Sequence, residues 1–395
     1  MVEVAEGRLS AESPGFVAQM AECLGCRSCE AVCPSGVEYG RLLEQARAAV
    51  VAARAPSEPA ARARLRRFLL HDLLARPALL RALGYAVWLA RRLGLEAAAA
   101  RIGLLRLLRL ERAQQLAPPF APPFFAPRGQ HETVAGQRGV AAFHAGCVAP
   151  LFFPRSHEAA LRVLRRLGWS TIVPRGQACC GALAMHAGEP DAAKDLARRT
   201  IRAFERTRAD IVVSHAAGCS AAMKEYGAWF ASDPEWSSRA RAFSAAVRDF
   251  TEVLDDLDRV QTAPFDDLIT YQDACHLAHA QRIASLPRTI LTHIQGERFT
   301  ELVGAPRCCG AAGIYNLLQP RIADRLQAQM LDAILASGAT IVVTTNPGCA
   351  MQIAAGLRAR NADVRVRHLA EVVDEACARY ERTRPWSASA SASVR

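Results

Sequence analysis

Lysine is nearly missing from this chain: Lys194 and Lys224 are the only two, so the positive charge of its 49 basic residues is almost all guanidinium. Also missing is any uninterrupted apolar run of about eighteen residues, the length a spanning helix needs. The nearest approach, Leu79 to Leu110, is broken by Arg81, Arg91, Arg92, Glu96, Arg101, Arg106 and Arg109, which excludes a membrane span there. Neither G-x-G-x-x-G nor G-x-x-x-x-G-K-[ST] occurs, and Gly310-Ala-Ala-Gly313 replaces neither, so flavin, nicotinamide and ATP have no recognisable phosphate loop. Met1 to Ser10 carry no basic n-region and no apolar h-region. No secretory signal is visible, and a cytoplasmic, reducing compartment is expected.

Cysteine, by contrast, is plentiful: the 395 residues include thirteen. In a reducing compartment such cysteines serve as metal ligands more often than as disulfides. The basic excess, 49 minus 38 or +11, points first to nucleic acid. Thiolates on iron or zinc bring negative charge that this count omits, so no nucleic-acid partner is expected.

The length suits two or three domains, and the expected class is α/β: an N-terminal ferredoxin-type motif, a helical connector, then two tandem cysteine-rich modules. Residues 1–50 hold four cysteines between Cys23 and Cys33. Residues 51–116 hold none; leucines at helical spacing alternate with arginines, twelve of them between 62 and 112, and the pattern is interrupted at Pro77 and Gly94. Two or three amphipathic helices are expected, docked on an anionic membrane surface or a partner, or simply solvated. The proline-rich stretch inside 117–138 predicts an extended linker. The modules are placed at 139–262 and 263–381, and a low-complexity, disordered tail at 382–395.

The two modules are a repeat. Cys147, Cys179-Cys180-Gly181 and Cys219 are separated by 32 and 39 residues, and Cys275, Cys308-Cys309-Gly310 and Cys349 by 33 and 40. Short apolar runs such as VAAFHAGC, LITYQDAC, IVVSHAAGC and IVVTTNPGC alternate with helical stretches such as EAALRVLRRLG. That alternation predicts parallel sheets with every cysteine at or just beyond a strand's carboxyl end. The four cysteines of each copy are expected to converge on one centre, iron-sulfur or zinc. The glycine after each vicinal pair lacks a Cβ and suits a cluster lying against the backbone. The alternative is that the thiols of one or both copies are inert core, as Cys377 in its late helix is expected to be.

Cys23-x2-Cys26-x2-Cys29-x3-Cys33-Pro34 has the bacterial ferredoxin spacing for a 4Fe-4S cluster, whereas zinc sites usually pair two separated C-x2-C arms. His144, His186, His215, His276 and His279 lie near cysteines and are weighed as substitute ligands, since imidazole can replace thiolate on iron.

On the residues CLGCRSCEAVCPSGVEYG, HAGC, ACCGALAMH, GCSAAMKEYG, HAQR, RCCGAAGIYNLLQP and NPGC, the chain resembles the iron-sulfur subunit of glycolate oxidase. Lactate-utilisation proteins and, more distantly, heterodisulfide reductase subunits with the CCG module are related to it. The resemblance covers nearly the whole chain. It implies two ferredoxin-type clusters, two CCG modules and FAD-containing partner subunits that oxidise glycolate to glyoxylate. It further implies an acceptor, quinone, with peripheral contact at the inner face of the membrane. Two departures stand out. The earlier C-x2-C-x2-C-x3-C-P of the family is missing before Cys23, so either Cys33 closes a single cube or the chain starts downstream of the true start, the option expected here. The closing C-x2-C of the full module is also missing, because Ala222 follows Cys219 and Gln352 follows Cys349. This second departure counts against a rival reading in which the chain itself reduces a disulfide at a CCG-bound cluster. A third reading is a zinc-stabilised scaffold.

Overall fold

The computed structural model describes residues 1–383. Of the tail expected at 382–395, Arg382 and Thr383 end the last helix, Leu369–Thr383, and the rest lies outside the described residues.

At the amino end, Pro14 sits at the first position of helix Pro14–Glu22, where its missing N–H costs nothing, and the helix stops at Cys23. Phe16 and Met20 on that helix meet Leu43 and Ala46 on helix Tyr39–Arg54 in a small core. The connector is more broken than periodicity alone predicts. Helix Ala60–Arg67 runs into a wider turn over Phe68–Leu73, and Pro77 opens Pro77–Arg92. Gly94 and Gly103 precede Leu95–Arg101 and Leu104–Leu107, and Glu111–Leu116 ends the series. Pro77 and Gly94 act as breaks as read from the sequence; Gly103 adds a third.

Among the described residues nine short strands form two sheets. The first joins β1 (His131–Glu132), β2 (Gly139–Phe143), β3 (Trp169–Ile172), β4 (Ile211–Ser214) and β5 (Val247–Asp249) in the order β1-β3-β2-β4-β5. The second joins β6 (Ile269–Tyr271), β7 (Phe299–Thr300), β8 (Ile341–Thr344) and β9 (Arg365–His368) in the order β7-β6-β8-β9. Omitting β1, the two orders are the same, and all of these pairings are parallel. β1 arises within the stretch expected to be linker and pairs antiparallel with β3 at the sheet edge.

The inner strands β2, β4, β6 and β8 are largely apolar and buried because helices cover their faces. Helix Pro154–Arg166 turns Ala159, Ala160, Val163 and Leu164 inward at helical spacing and leaves Arg165 and Arg166 in its last turn. A single continuous core contains Phe143 and Val213 of the first sheet together with Tyr271, Ile341 and Val343 of the second. It also takes in Val372, Val373, Ala376 and Cys377 of the last helix. Cys377 is 1% exposed, a core residue as expected.

Candidate metal centres

Each sheet delivers its cysteines in the same way. Beyond β2 the chain turns at Gly146 and presents Cys147; the loop after β3 carries Cys179 and Cys180; Cys219 lies in the first turn of helix Ala217–Lys224 after β4. In the second copy Cys275 follows β6, Cys308 and Cys309 follow β7, and Cys349 opens helix Pro347–Ala359 after β8. The parallel sheet thus brings three connections to one end, where open α/β sheets place their sites. The strands IVVSHAAGC and IVVTTNPGC end earlier than their cysteines, which belong to the following helices.

The thiols of each copy touch one another. Cys179 Sγ lies 3.5 Å from Cys147 Sγ, and Cys180 is hydrogen-bonded to both Cys179 and Cys219. In the second copy Cys275 and Cys309 both hydrogen-bond Cys308, and Cys309 reaches Cys349. The electrostatics repeat too. Cys147 and Cys180 are pushed well up from the usual thiol range by the neighbouring sulfur of Cys179, with burial adding to the effect; Cys179 is drawn well down by the same contacts. Cys275 and Cys309 go up and Cys308 comes down, by the same causes in the same order. The Gly310 amide donates to Cys308 Sγ at 3.4 Å, and Asn346 Nδ2 donates to Cys349 Sγ at 3.5 Å. Crowded, buried or half-buried thiols with one of them held toward thiolate are a donor set suited to a soft metal, which would take the place of the shared protons.

The glycines after the vicinal cysteines have a use in packing. Gly181 and Gly310 have φ of +84° and +87°, and a Cβ on them would lie 2.8 Å from the Ala193 carbonyl oxygen and 2.6 Å from that of Ala323. The space they leave is filled by the backbone of helices Pro190–Glu205 and Pro320–Ala336, so they let the module close.

At the amino end Cys26 lies within electrostatic reach of Cys23 and Cys29, and also of Cys308 in the second module. Its thiol is pushed up mainly by burial. Cys33 instead turns to the backbone amides of Val37, Ser35 and Gly36, which draw its thiol down. The trio is braced from both modules. Arg47 donates to the carbonyls of Met20 (3.1 Å), Cys23 (2.5 Å) and His186 (2.9 Å). Arg27, left-handed at φ 62° and buried, pairs with Glu225. His276 Nε2 reaches the Gly25 carbonyl at 3.1 Å, and Tyr315 Oη donates to the Glu22 carbonyl at 2.8 Å. Among the described residues no three His, Cys, Asp or Glu side chains are set to hold a single ion; the ligands of a polynuclear cluster stand on separate irons and lie further apart.

Three of the weighed histidines have a backbone partner. His144, His276 and His279 each direct Nε2 at a carbonyl, of Ala178, Gly25 and Pro306. His186 meets Glu44, and His215 Nε2 meets Ser156 Oγ at 3.0 Å. Arg27, Arg47, Glu225, Tyr226 and Tyr315 were not expected at the site. Spacing gives no sign of them, although Arg27, Glu225, Tyr226 and Tyr315 fall inside the segments RSCE, KEYG and IYNL that carry the resemblance. Tyr226 Oη donates to the Cys180 carbonyl at 2.7 Å and so orients the vicinal pair.

Comparison with known proteins agrees with this arrangement. The cysteine-rich (CCG) domain model matches residues 141–224 and again 269–354, and the model for the glycolate oxidase iron-sulfur subunit linker region matches 61–117. The probable glycolate oxidase iron-sulfur subunit of Bacillus subtilis is 36% identical over 368 residues, covering 90% of this chain and 81% of that protein. The glycolate oxidase iron-sulfur subunit of Escherichia coli is 30% identical, with the same shares covered. Lactate utilization protein A of Exiguobacterium is 29% identical over 58% of this chain and 94% of its own length. With two modules built alike around thiols that meet, and relatives matched along nine-tenths of its length, the chain belongs to the family of glycolate oxidase iron-sulfur subunits.

Proposed function

We propose that this chain is the iron-sulfur electron-transfer subunit of a glycolate-oxidising complex. An FAD-bearing partner subunit takes the electrons of the 2-hydroxy acid, and this chain passes them singly to an acceptor, quinone. Iron-sulfur clusters supply one-electron transfer when bound. On this reading Cys23, Cys26 and Cys29 hold a 4Fe-4S centre. Cys147, Cys179, Cys180 and Cys219 hold the centre of the first module, and Cys275, Cys308, Cys309 and Cys349 that of the second.

One observation carries the reading: Cys26 of the amino-terminal trio lies within electrostatic reach of Cys308 and Cys275 of the second module. The His276 contact to Gly25 ties together the residues next to Cys275 and Cys26. Centres held there are neighbours, as a relay requires. The chain's own part is to fix the thiolates, keep water off the buried sulfurs and hold the two sites together through Arg47, Tyr315 and His276.

The test is anaerobic purification of the chain with whatever co-purifies, followed by flavin, iron and acid-labile sulfide analysis and EPR of the reduced protein. Iron with sulfide, and flavin in the partner, are expected; zinc without sulfide overturns the proposal. Cys26→Ser should remove a cubane signal that Cys33→Ser leaves in place, because Cys33 turns to backbone amides. An unchanged spectrum in Cys26→Ser removes the trio from the ligand set.

A further inference from the structure

The two copies of the repeat differ where each approaches its last cysteine. In the first, Ser214-His215-Ala216-Ala217-Gly218 precede Cys219; in the second, Thr344-Thr345-Asn346-Pro347-Gly348 precede Cys349. Asn346 therefore stands where the first copy has Ala216, and Pro347 where it has Ala217. Both exchanges break the symmetry of the joint between the modules. The Ala217 amide donates to the Thr345 carbonyl at 3.1 Å. Pro347 has no N–H with which to return that bond to the His215 carbonyl, which accepts from His368 Nε2 at 2.7 Å instead.

Asn346 spans this joint. Its Oδ1 accepts from the Gly218 amide, next to Cys219, at 3.3 Å, and its Nδ2 donates to Cys349 Sγ at 3.5 Å. A backbone N–H can only donate, so the side-chain oxygen must face Gly218 and the NH2 is left for the sulfur. Glycine on either side makes room for the amide: a Cβ at Gly218 would lie 3.5 Å from Oδ1, and one at Gly348 3.2 Å from Nδ2. The first module thus orients a donor that serves a sulfur of the second, and that sulfur belongs to a residue only 4% exposed. Ala216 carries a methyl group and can do nothing comparable for Cys219. A hydrogen bond to a ligating sulfur favours the more negative, reduced state of the metal it serves, and so raises its potential.

We infer that Asn346 is a positioning residue that acts through Cys349 to raise the reduction potential of the second module's centre, a device the first module's centre lacks. The inference rests on the proposed reading that these thiols hold iron-sulfur centres.

The test is an anaerobic redox titration of the full chain followed by EPR, with iron and acid-labile sulfide measured on the same samples. The second-module signal is the one that Cys308→Ser removes. Asn346→Asp keeps an oxygen for the Gly218 amide and exchanges the donor for an acceptor, whereas Asn346→Ala removes both groups. Each variant should retain the parent's iron and sulfide. Each should also lower the midpoint of the second-module signal by about 59 mV or more, a tenfold change in the ratio of reduced to oxidised centre for a one-electron couple. The first-module signal should stay where it was. Variants that lose their iron give Asn346 a merely structural role and overturn the inference. Variants that keep it with the midpoint unmoved, or with both modules moved alike, overturn the inference too and leave the proposed function standing. A parent chain without sulfide overturns both.

Discussion

On Gly181 and Gly310 the repeat is most tightly built, and each accepts nothing larger. Gly181→Ala or Gly310→Ala combines a left-handed backbone with a carbonyl already inside contact distance, so each should lose roughly 2–4 kcal/mol. Urea denaturation of the variants measures it, and an unchanged midpoint would refute the close packing. His368 offers a second test. Its Nδ1 accepts from the Ala370 amide at 3.0 Å and its Nε2 donates to the His215 carbonyl at 2.7 Å, a pattern only the neutral ring satisfies. Burial holds its pKa down at about 4, against 6.5 for the free side chain. The unfolded chain therefore binds more protons between those values. The stabilisation is complete above pH 6.5 and is lost as pH falls toward 4, on the order of 3 kcal/mol for this one group. Thermal melts from pH 7 to 4 should show the decline, and a flat profile would contradict it. The vicinal cysteines and their glycines were legible in the sequence as special positions. What was not legible is what approaches Gly181, because Ala193 lies on helix Pro190–Glu205 and nothing in its own neighbourhood marks it.

Elements show the same division. Alternating strand and helix signals gave the parallel sheets, since buried strands are apolar throughout. β1 escaped because His131 and Glu132 have no apolar pattern; they pair only because the edge of β3 is open beside them. For the connector, periodicity revealed a stripe but not which way it faces, because direction depends on residues such as Gly84 meeting Phe124. The segment Arg27–Cys29 is held in place by charge. Arg27 lies 3.0 Å from Glu225 Oε2 and 3.9 Å from Glu44, and is 6% exposed. Arg27→Ala leaves Glu44 buried without its cation and should cost about 3 kcal/mol, the lower end for a broken buried pair because Glu225 is partly exposed. Limited proteolysis should then cut near residue 27 faster than in the parent chain. Equal rates would show that the pair does not hold the motif.

At the scale of the whole molecule the two modules behave as one body. Their cores merge, the Ala217 amide donates to the Thr345 carbonyl at 3.1 Å, and the Gly218 amide donates to Asn346 Oδ1 at 3.3 Å. Calorimetry should therefore record one transition for both modules, and two resolved transitions would show them independent. Cys179→Ser and Cys308→Ser should each lower bound metal and the unfolding temperature together, since site formation is coupled to folding. Should only one variant lose metal, the other module has become purely structural. The repeat was legible because cysteine offsets survive when other residues drift; the fusion of the copies was not, because the groups that join them, Ala217 with Thr345 and Gly218 with Asn346, lie far apart in the chain. The bracing of the amino-terminal trio by Tyr315 and His276 bears on synthesis. Cys26 precedes Cys275 by 249 residues. At roughly 5–20 residues per second the ribosome needs about 10–50 s to make up that interval. Through most of it the trio is outside the ribosome with no second module to pack against, so cysteines made early are among the last to find their native surroundings.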